Sequence, residues 1–254
     1  MRDYTSSWVL LSFIFLIGFN FSCQQGPSNL SLSPIFSDHM VLQQAEHVPI
    51  WGTAAPYTNV KIDGSWGNSV SARTNRKGQW DTDILMPAAG GPFELTISTN
   101  DTTIIIKDVM AGEVWLCSGQ SNMEMPLEGW LPTDPILNAD EEIANANYPM
   151  IRMFTMQKAI EVAPTTEYAG RWEVCNSANA GNFSATAYFF GRTLHQKLNV
   201  PIGLIHTSWG GTPAEAWTEG NHLTSITDYL NVLQELEQAK PQQLALNNLS
   251  LIHI

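Results

Sequence analysis

The sequence predicts a mixed α/β protein in which a small all-β sandwich precedes a parallel sheet with helices on both faces. Residues 32–108 form short runs that alternate apolar with polar residues, separated by turns such as Asp63-Gly64, as in antiparallel strands. From residue 109 onward, strand-like runs alternate with amphipathic stretches, which is typical of a parallel sheet covered by helices. Polar turns follow two of these runs, at Ser118 and at Trp209, and α/β sheets bind their ligands at such strand ends.

The first unit, residues 32–108, is predicted to contain six short strands. They are Val48–Gly52, Asn59–Asp63, Ser69–Arg73, Gln79–Ile84, Phe93–Ile97 and Thr103–Lys107. Three aromatic side chains in this unit, Trp51, Trp66 and Trp80, are of the kind that stacks on sugar rings, but core packing is the more common use of tryptophan. We therefore interpret the unit as a scaffold.

The second unit, residues 109–254, is predicted to alternate strands with helices. Its strands are Val114–Cys117, Ile151–Thr155, Gly170–Val174 and Ile202–Thr207. Its helices are Pro135–Asn147, Ser184–Leu198 and Thr227–Lys240. The apolar composition of Val114–Cys117 predicts a buried strand, and Ser184 or a residue just before it is expected to cap the second helix.

The N-terminus predicts export from a bacterial cell. Arg2 precedes an apolar run, Trp8–Phe19, which is too short to span a membrane comfortably and is typical of a secretory signal. Cys23 follows this run, as at a lipoprotein cleavage site, which predicts a signal peptide at 1–22, an acylated Cys23 and a polar tether at 23–31. The expected location is the periplasm or the cell surface, and a plain signal peptide cut nearby is the alternative.

Composition narrows the possible partners. The 254 residues carry a formal net charge of −12, with 44% hydrophobic and 14% charged residues. Nucleic acids and anionic membrane surfaces both require a basic footprint, so neither is an expected partner, and membrane contact is expected only through a lipid on Cys23. No motif predicts a cofactor or a metal site. Cys117 and Cys175 remain, either as free buried thiols or as a disulfide.

Ser121 is the candidate nucleophile. It lies in the polar turn Ser118-Gly-Gln-Ser-Asn122, directly after the predicted strand Val114–Cys117. A serine at this place can attack an acyl carbon while nearby backbone N–H groups stabilise the oxyanion. The turn is not the Gly-x-Ser-x-Gly elbow of lipases, because Met123 stands where the second glycine belongs.

Four ordered segments resemble one protein family. They are Ser33–Gln43, Gly112–Met125, Asn179–Arg192 and Pro201–Trp217. Gly112–Met125 resembles the first sequence block of the SGNH-hydrolase superfamily, and together the segments are most similar to the sialate O-acetylesterases and related carbohydrate acetylesterases. The resemblance implies a three-layer α/β/α fold and a serine esterase that removes acetyl groups from sugars or glycans through an acyl-enzyme, without a cofactor.

The same resemblance assigns roles to residues around Ser121. In that superfamily a serine, a glycine and an amide side chain build the oxyanion hole, which here implies the Ser121 N–H with Gly210 or Gly211. Gln120 and Asn122 both carry a suitable amide, and the choice between them stays open. Glu215 and Trp217 are expected to support the Gly210 turn and to offer a sugar-stacking face.

The base is the missing part of this site. The superfamily takes its histidine from an Asp-x-x-His element, and no histidine after Ser121 has an aspartate three residues before it; these histidines are His195, His206, His222 and His253. His206, in a predicted strand, is expected to be a hydrogen-bonded core residue. The sequence therefore predicts a fragment of an esterase that is itself a poor catalyst. The alternatives are a non-catalytic carbohydrate-binding lipoprotein and another class of serine hydrolase.

Overall fold

The structure is a computed structural model that describes residues 29–159, 165, 168–232, 234, 235 and 238. The predicted signal peptide, the acylation of Cys23 and most of the tether lie outside the described residues, as does His253 near the C-terminus. Among the described helices, none has the length and apolar character needed to cross a membrane.

Two packed sheets form the N-terminal β-sandwich. Antiparallel strands in the order β1-β3-β6 make the first sheet: β1 (Ser31–Leu32), β3 (His47–Thr53) and β6 (Gln79–Leu85). The second contains β2 (Val41–Gln43), β4 (Asn59–Gly64), β5 (Ser69–Arg73), β7 (Gly90–Ser98) and the first half of β8 (Thr103–Gly119). Ile50 of the first sheet and Ile62 of the second are fully buried in one core. The six predicted strands and the sandwich are thus confirmed.

Strand β8 connects the sandwich to the rest of the chain. Up to Ala111 it pairs with β7 in antiparallel orientation, and from Glu113 it pairs with β11 (Ile202–Ser208) in parallel orientation. The boundary predicted at Asp108 therefore lies inside a continuous strand, close to the point where the neighbouring strand changes. The division into units 32–108 and 109–254 stays a prediction.

The parallel strands predicted for the second unit are confirmed. The order is β10-β9-β11-β8, with β9 (Asn147–Met156) and β8 both parallel to β11, and with β10 (Gly170–Asn176) antiparallel to β9. The register places Thr207 opposite Ser118 and Ser208 opposite Gly119. The two polar turns that follow β8 and β11 consequently begin side by side at one edge of the sheet.

One long helix covers a face of this sheet. Helix α3 (Ala185–Leu198) begins as expected, because the Ser184 hydroxyl accepts a hydrogen bond from the Ala187 N–H at 3.2 Å. It packs closely on β11, since a Cβ atom on Gly191 would lie only 2.6 Å from Leu204 Cδ1. The opposite face of the sheet contacts the sandwich, and Phe154 and Trp172 belong to the same buried cluster as the sandwich core.

The helix predicted over Pro135–Asn147 is wrong in its bounds. The structure has a shorter helix, α2 (Ala139–Ala144), and Asn147 is already in β9, where it pairs with Asn176. Hydrogen bonding between β9 and β10 places Asn147 in a strand, although the local sequence pattern predicted a helix there. Two further helices of one turn, α1 (Ser121–Glu124) and α4 (Gly220–Leu223), were not predicted. Residues 227–232 are helical, in agreement with the predicted helix from Thr227, whose end at Lys240 lies outside the described part.

The prediction that Val114–Cys117 is a buried strand is right for the strand and for Cys117, but wrong for the burial of the two residues between. The segment is part of β8, but Trp115 is 43% exposed and Leu116 is 65% exposed. From Glu113 to Gly119, β8 pairs with a single strand among the described residues, β11. The other side of β8 is therefore not covered by a described strand. A run of apolar residues predicts a strand, whereas its burial depends on strands that lie elsewhere in the chain.

Candidate active site

A sharp turn at the end of β8 presents Ser121. Gly119 has φ of +142°, which is strained for a residue with a side chain. The N–H groups of Met123 and Glu124 both donate to the Gln120 carbonyl at 2.9 Å, so the chain winds directly into α1. Ser121 is the first residue of that helix, and its N–H has no hydrogen-bond partner among the described residues.

Gly210 lies next to Ser121. The Trp209 N–H donates to the Gly119 carbonyl at 3.0 Å and links the ends of β11 and β8. A Cβ atom on Gly210 would lie 3.3 Å from Ser121 Oγ, so a larger residue there would crowd the hydroxyl. Gly211 has φ of +80° and open space where its Cβ would be, and it makes no comparable approach. The structure thus brings Ser121 together with Gly210 but not with Gly211.

A carboxylate that the sequence analysis missed occupies this junction. Glu124 Oε2 accepts a hydrogen bond from the Gly210 N–H, and Glu124 Oε1 pairs with Lys158 Nζ. Lys158 Nζ also lies 5.3 Å from the centre of the Trp209 ring, on the turn itself. The signal for Glu124 was its position three residues after Ser121, on the same face of a helical turn. No local pattern indicated Lys158.

A cavity of about 500 Å³ opens on another side of Ser121. The described residues that line it are Ser118, Gly119, Gln120, Ser121, Asn122, Met123 and Thr186. The two candidate amides, Gln120 and Asn122, are exposed at this cavity. Thr186, which the sequence analysis also missed, donates from Oγ1 to the Asn122 carbonyl at 2.7 Å and ties the turn to the first turn of α3.

Glu215 and Trp217 lie on a short 3-10 helix, Ala214–Trp217, after the Gly210 turn. Trp217 Nε1 donates to Thr212 Oγ1 at 2.7 Å, and this hydroxyl donates to the Trp209 carbonyl at 2.6 Å. Glu215 Oε1 accepts a hydrogen bond from the Tyr229 hydroxyl. Neither Glu215 nor Trp217 lines the described cavity at Ser121. Trp217 therefore contacts the turn, and a sugar-stacking role for it stays a prediction.

The described histidines that follow Ser121 in the chain make their contacts with other groups. His206 is buried, as expected, and its Nε2 lies 2.7 Å from Ser208 Oγ. Burial lowers the pKa of His206, and the nearby backbone of Met123 raises it to a smaller extent. His206 Nδ1 nevertheless has no regular hydrogen-bond partner among the described residues. His195 Nδ1 lies 2.9 Å from the Val200 carbonyl, and the exposed His222 pairs with Glu219 at 3.6 Å. In the part of the chain that the structure describes, no imidazole is hydrogen-bonded to Ser121.

Cys117 and Cys175 are both buried and free, so the alternative of a disulfide between them is not adopted. Burial raises the pKa of the Cys117 thiol to about 11 and that of the Cys175 thiol to about 12. Both thiols are therefore protonated near neutral pH, and they pack as small apolar residues.

Comparison with known proteins identifies the family. The family model described as "carbohydrate esterase, sialic acid-specific acetylesterase" matches residues 111–249, a range that includes Ser121, Gly210 and Trp217. The chain belongs to this esterase family. The family model begins at Ala111, within β8, where the antiparallel pairing with β7 ends.

Several members of the esterase family are similar in sequence. Human sialate O-acetylesterase is 35% identical over 211 residues, which is 75% of this chain and 39% of the human protein. The rat sialate O-acetylesterase is 36% identical over 202 residues, which is 71% of this chain and 36% of the rat protein. This chain thus spans less than half the length of these curated relatives.

A solved structure supports the same family and fold. The crystal structure of a carbohydrate acetylesterase from Xanthomonas citri matches with a TM-score of 0.71 and 32% sequence identity. The match covers 78% of this chain and 44% of that one. The predicted fold class, an SGNH-like α/β fold preceded by a β-sandwich, is confirmed.

Proposed function

We propose that this protein is part of a carbohydrate O-acetylesterase in which Ser121 attacks the acetyl carbon of a sugar ester. The bond from Ser121 Oγ to the acetyl carbon forms as the ester C–O bond breaks, and the hydroxyl proton passes to the departing sugar oxygen. Water then cleaves the acyl-serine and releases acetate. The observation that carries the proposal is the approach of Ser121 Oγ to within 3.3 Å of the Cβ position on Gly210.

Two backbone N–H groups are suited to the oxyanion. The Ser121 N–H is without a partner in the described residues, and the Gly210 N–H points at Glu124 Oε2 beside the serine. Glu124 Oε2, which accepts the hydrogen bond from the Gly210 N–H, occupies the position that the substrate oxyanion would need. Glu124 therefore has to move before the Gly210 N–H can stabilise the oxyanion. Each such donor is typically worth about 10²–10³ in rate.

The substrate we propose is an O-acetyl ester on a sugar or glycan. The names of the relatives, sialate O-acetylesterase and carbohydrate acetylesterase, support this class. The exposed amides of Gln120 and Asn122 line the cavity beside Ser121, where they can hydrogen-bond sugar hydroxyls or the acetyl carbonyl.

We further propose that the 254-residue chain alone turns over slowly. A serine hydroxyl without a base stays protonated near neutral pH and is a weak nucleophile. Among the described residues no imidazole is hydrogen-bonded to Ser121, and the Nε2 atom of His206 is hydrogen-bonded to the Ser208 hydroxyl instead. An esterase that lacks one member of its catalytic triad still binds the substrate and stabilises the oxyanion, and these two effects accelerate hydrolysis by about 10³–10⁴ over the reaction in water.

The test compares this chain with its Ser121→Ala and Ser118→Ala variants. Acetylation of the protein by p-nitrophenyl acetate is followed by mass spectrometry, and acetate release is followed with O-acetylated sialic acid and O-acetylated xylan. We expect slow acetylation at Ser121 that is lost in Ser121→Ala and kept in Ser118→Ala, whose hydroxyl lines the same cavity. Equal acetylation of all three proteins would refute the assignment of Ser121. Sugar binding without any acetylation would favour the non-catalytic alternative.

The export of the protein is a separate proposal. Cys23, after the apolar run Trp8–Phe19, supports acylation and attachment to a bacterial envelope. Expression in a bacterium with a labelled fatty acid is expected to label the parent protein and not a Cys23→Ala variant. Labelling of both would exclude Cys23 as the lipid attachment site.

A further inference from the structure

A second cavity lies on the β-sandwich and shares no lining residue with the cavity at Ser121. Its volume is about 640 Å³. Its lining includes Trp51 and Thr53 of β3, Gln79 and Asp81 of β6, Ser33 after β1, and Tyr168 just before β10. A cavity of this size accommodates a small-molecule ligand.

Four polar or aromatic side chains project from one face of the first sheet into this cavity. In the β3–β6 ladder Trp51 is opposite Asp81, and Thr53 is opposite Gln79. Residues directly opposite each other in a ladder point to the same face, and residues two apart in one strand share it. Ile50, one residue earlier, points to the sandwich core and is fully buried. Thr53, Gln79 and Asp81 therefore lie outside the core, whereas the partly buried Trp51 packs against the core cluster on one side.

Trp51 forms a rigid aromatic surface in this group. Its ring packs edge-to-face against Phe36, with the centroids 4.6 Å apart and an interplanar angle of 77°. Phe36 is itself buried, which fixes the indole orientation. An aromatic side chain that is already ordered loses little conformational entropy when a ligand stacks on it.

Polar groups surround this aromatic surface. Ser33 is buried, and its hydroxyl lies 2.6 Å from the hydroxyl of Tyr168, which also lines the cavity. Trp80 alternates with Gln79 and Asp81 along β6, so it points to the sandwich core and is 97% buried.

The charge of the residues that line the cavity favours a neutral ligand over an anionic one. The ionisable side chains among its described lining residues are Asp81 and Tyr168, and no Lys, Arg or His is present there. An anion would meet the Asp81 carboxylate without a cation to offset it. A neutral pyranose suits the site, because its C–H face stacks on an indole while its hydroxyls bond carboxylate, amide and hydroxyl groups.

We propose that this cavity is a saccharide-binding subsite for a neutral sugar unit, with Trp51 as the stacking surface and Asp81 and Gln79 as hydrogen-bonding partners. The interpretation of the sandwich as a scaffold alone is revised accordingly. The proposal goes beyond the proposed esterase function and does not rest on it, because the subsite shares no residue with the Ser121 cavity.

The test measures sugar binding by the full chain carrying Ser121→Ala. Xylotetraose, cellotetraose and mannotetraose are titrated by calorimetry, with anionic N-acetylneuraminic acid as the contrasting probe. We expect saturable binding of at least one neutral tetrasaccharide, weakened about tenfold or more by Trp51→Ala, because that variant removes the aromatic stacking surface. Asp81→Asn and Gln79→Ala, at exposed positions, are expected to weaken it severalfold without affecting folding.

Trp130→Ala is the matched control, because Trp130 is exposed and lines neither cavity. If Trp51→Ala does not fold, the Asp81→Asn and Gln79→Ala variants carry the test. The proposal is overturned if none of the three neutral sugars binds, if Trp130→Ala weakens binding as much as the cavity variants do, or if N-acetylneuraminic acid binds as tightly as the neutral sugars. Acetylation of Ser121 in the unmutated chain is measured separately, so failure of this proposal is distinguishable from failure of the esterase assignment.

Discussion

The hydroxyl oxygen of Ser121 lies 3.3 Å from the point that a Cβ atom on Gly210 would occupy, and the Glu124 carboxylate lies 2.6 Å from the same point. Two turns that are 89 positions apart thus meet around one small volume. They do so because the strands before them, β8 and β11, are parallel neighbours in register.

Replacing Gly210 with alanine is expected to slow the acetylation of Ser121 by about 10²–10³, the usual effect of disturbing one oxyanion donor. The added methyl group would push against the serine hydroxyl and the Glu124 carboxylate. The rate is measured by mass spectrometry after mixing with p-nitrophenyl acetate. Gly211→Ala is the control, since its Cβ position is open, although its φ of +80° predicts a small loss of stability. Equal rates for Gly210→Ala and the parent would contradict the assignment.

Removing the carboxylate of Glu124 is expected to raise the acetylation rate about tenfold. Glu124→Ala frees the Gly210 N–H and removes a negative charge close to the developing oxyanion, an effect worth roughly 1–4 kcal/mol at this range. Glu128→Ala, at an exposed carboxylate in the same loop, serves as the control. A fall to the level of Ser121→Ala would instead identify Glu124 as the base for Ser121.

Asp108→Asn is expected to destabilise the protein by about 1.5–3 kcal/mol, the usual range for hydrogen bonds to charged groups. Asp108 accepts hydrogen bonds from both terminal nitrogens of Arg152, at 2.5 and 3.1 Å, and pairs with His39 at 2.6 Å. The Arg152 side chain is only 5% exposed, so removing the Asp108 charge leaves a buried guanidinium opposite a neutral amide. Urea unfolding at pH 7 measures the change, with Asp63→Asn, in an exposed pair with Lys61, expected to lose less.

The same carboxylate predicts the sign of a pH dependence. Burial by itself raises the pKa of Asp108, but the hydrogen bonds from Arg152 and His39 outweigh it and hold the pKa below its ordinary value. A depressed folded-state pKa stabilises the protein above the unfolded-state pKa of about 4, and this stabilisation is lost as the pH falls further. The parent is therefore expected to lose more stability than Asp108→Asn between pH 6 and pH 3. Parallel losses in the two proteins would contradict this.

Leu116→Lys is expected to reduce self-association of the chain. Leu116 and Trp115 are exposed on the outer edge of β8, and the Trp115 ring packs against Phe190 with the ring centres 5.0 Å apart. An apolar strand edge of this kind promotes association between copies, and a charge on it opposes pairing. Light scattering over a concentration series measures the effect. Ile105→Lys, on the part of β8 that pairs with β7, is the control and is expected to change association less.

Local pattern was sufficient for most individual elements. The alternation of apolar and polar residues predicted the strands of the sandwich, and the cap at Ser184 predicted where α3 begins. The proximity of Ser121 and Gly210 was also predictable, because both follow parallel strands and the carboxyl ends of such strands share one edge. Prediction failed at Asn147, where pairing with Asn176 in β10 overrides the helical tendency.

The sequence by itself determined the family, most of the strands, the start of α3 and the nucleophile candidate, because these depend on local spacing and on motifs that are continuous along the chain. Only the tertiary structure decided that Glu124 holds the Gly210 N–H, that Asp108 pairs with Arg152, and that Trp51 and Asp81 share a cavity. These contacts join residues tens of positions apart, and each depends on the register between strands. A shift of a single residue in that register would turn the same side chains to the opposite face of the sheet.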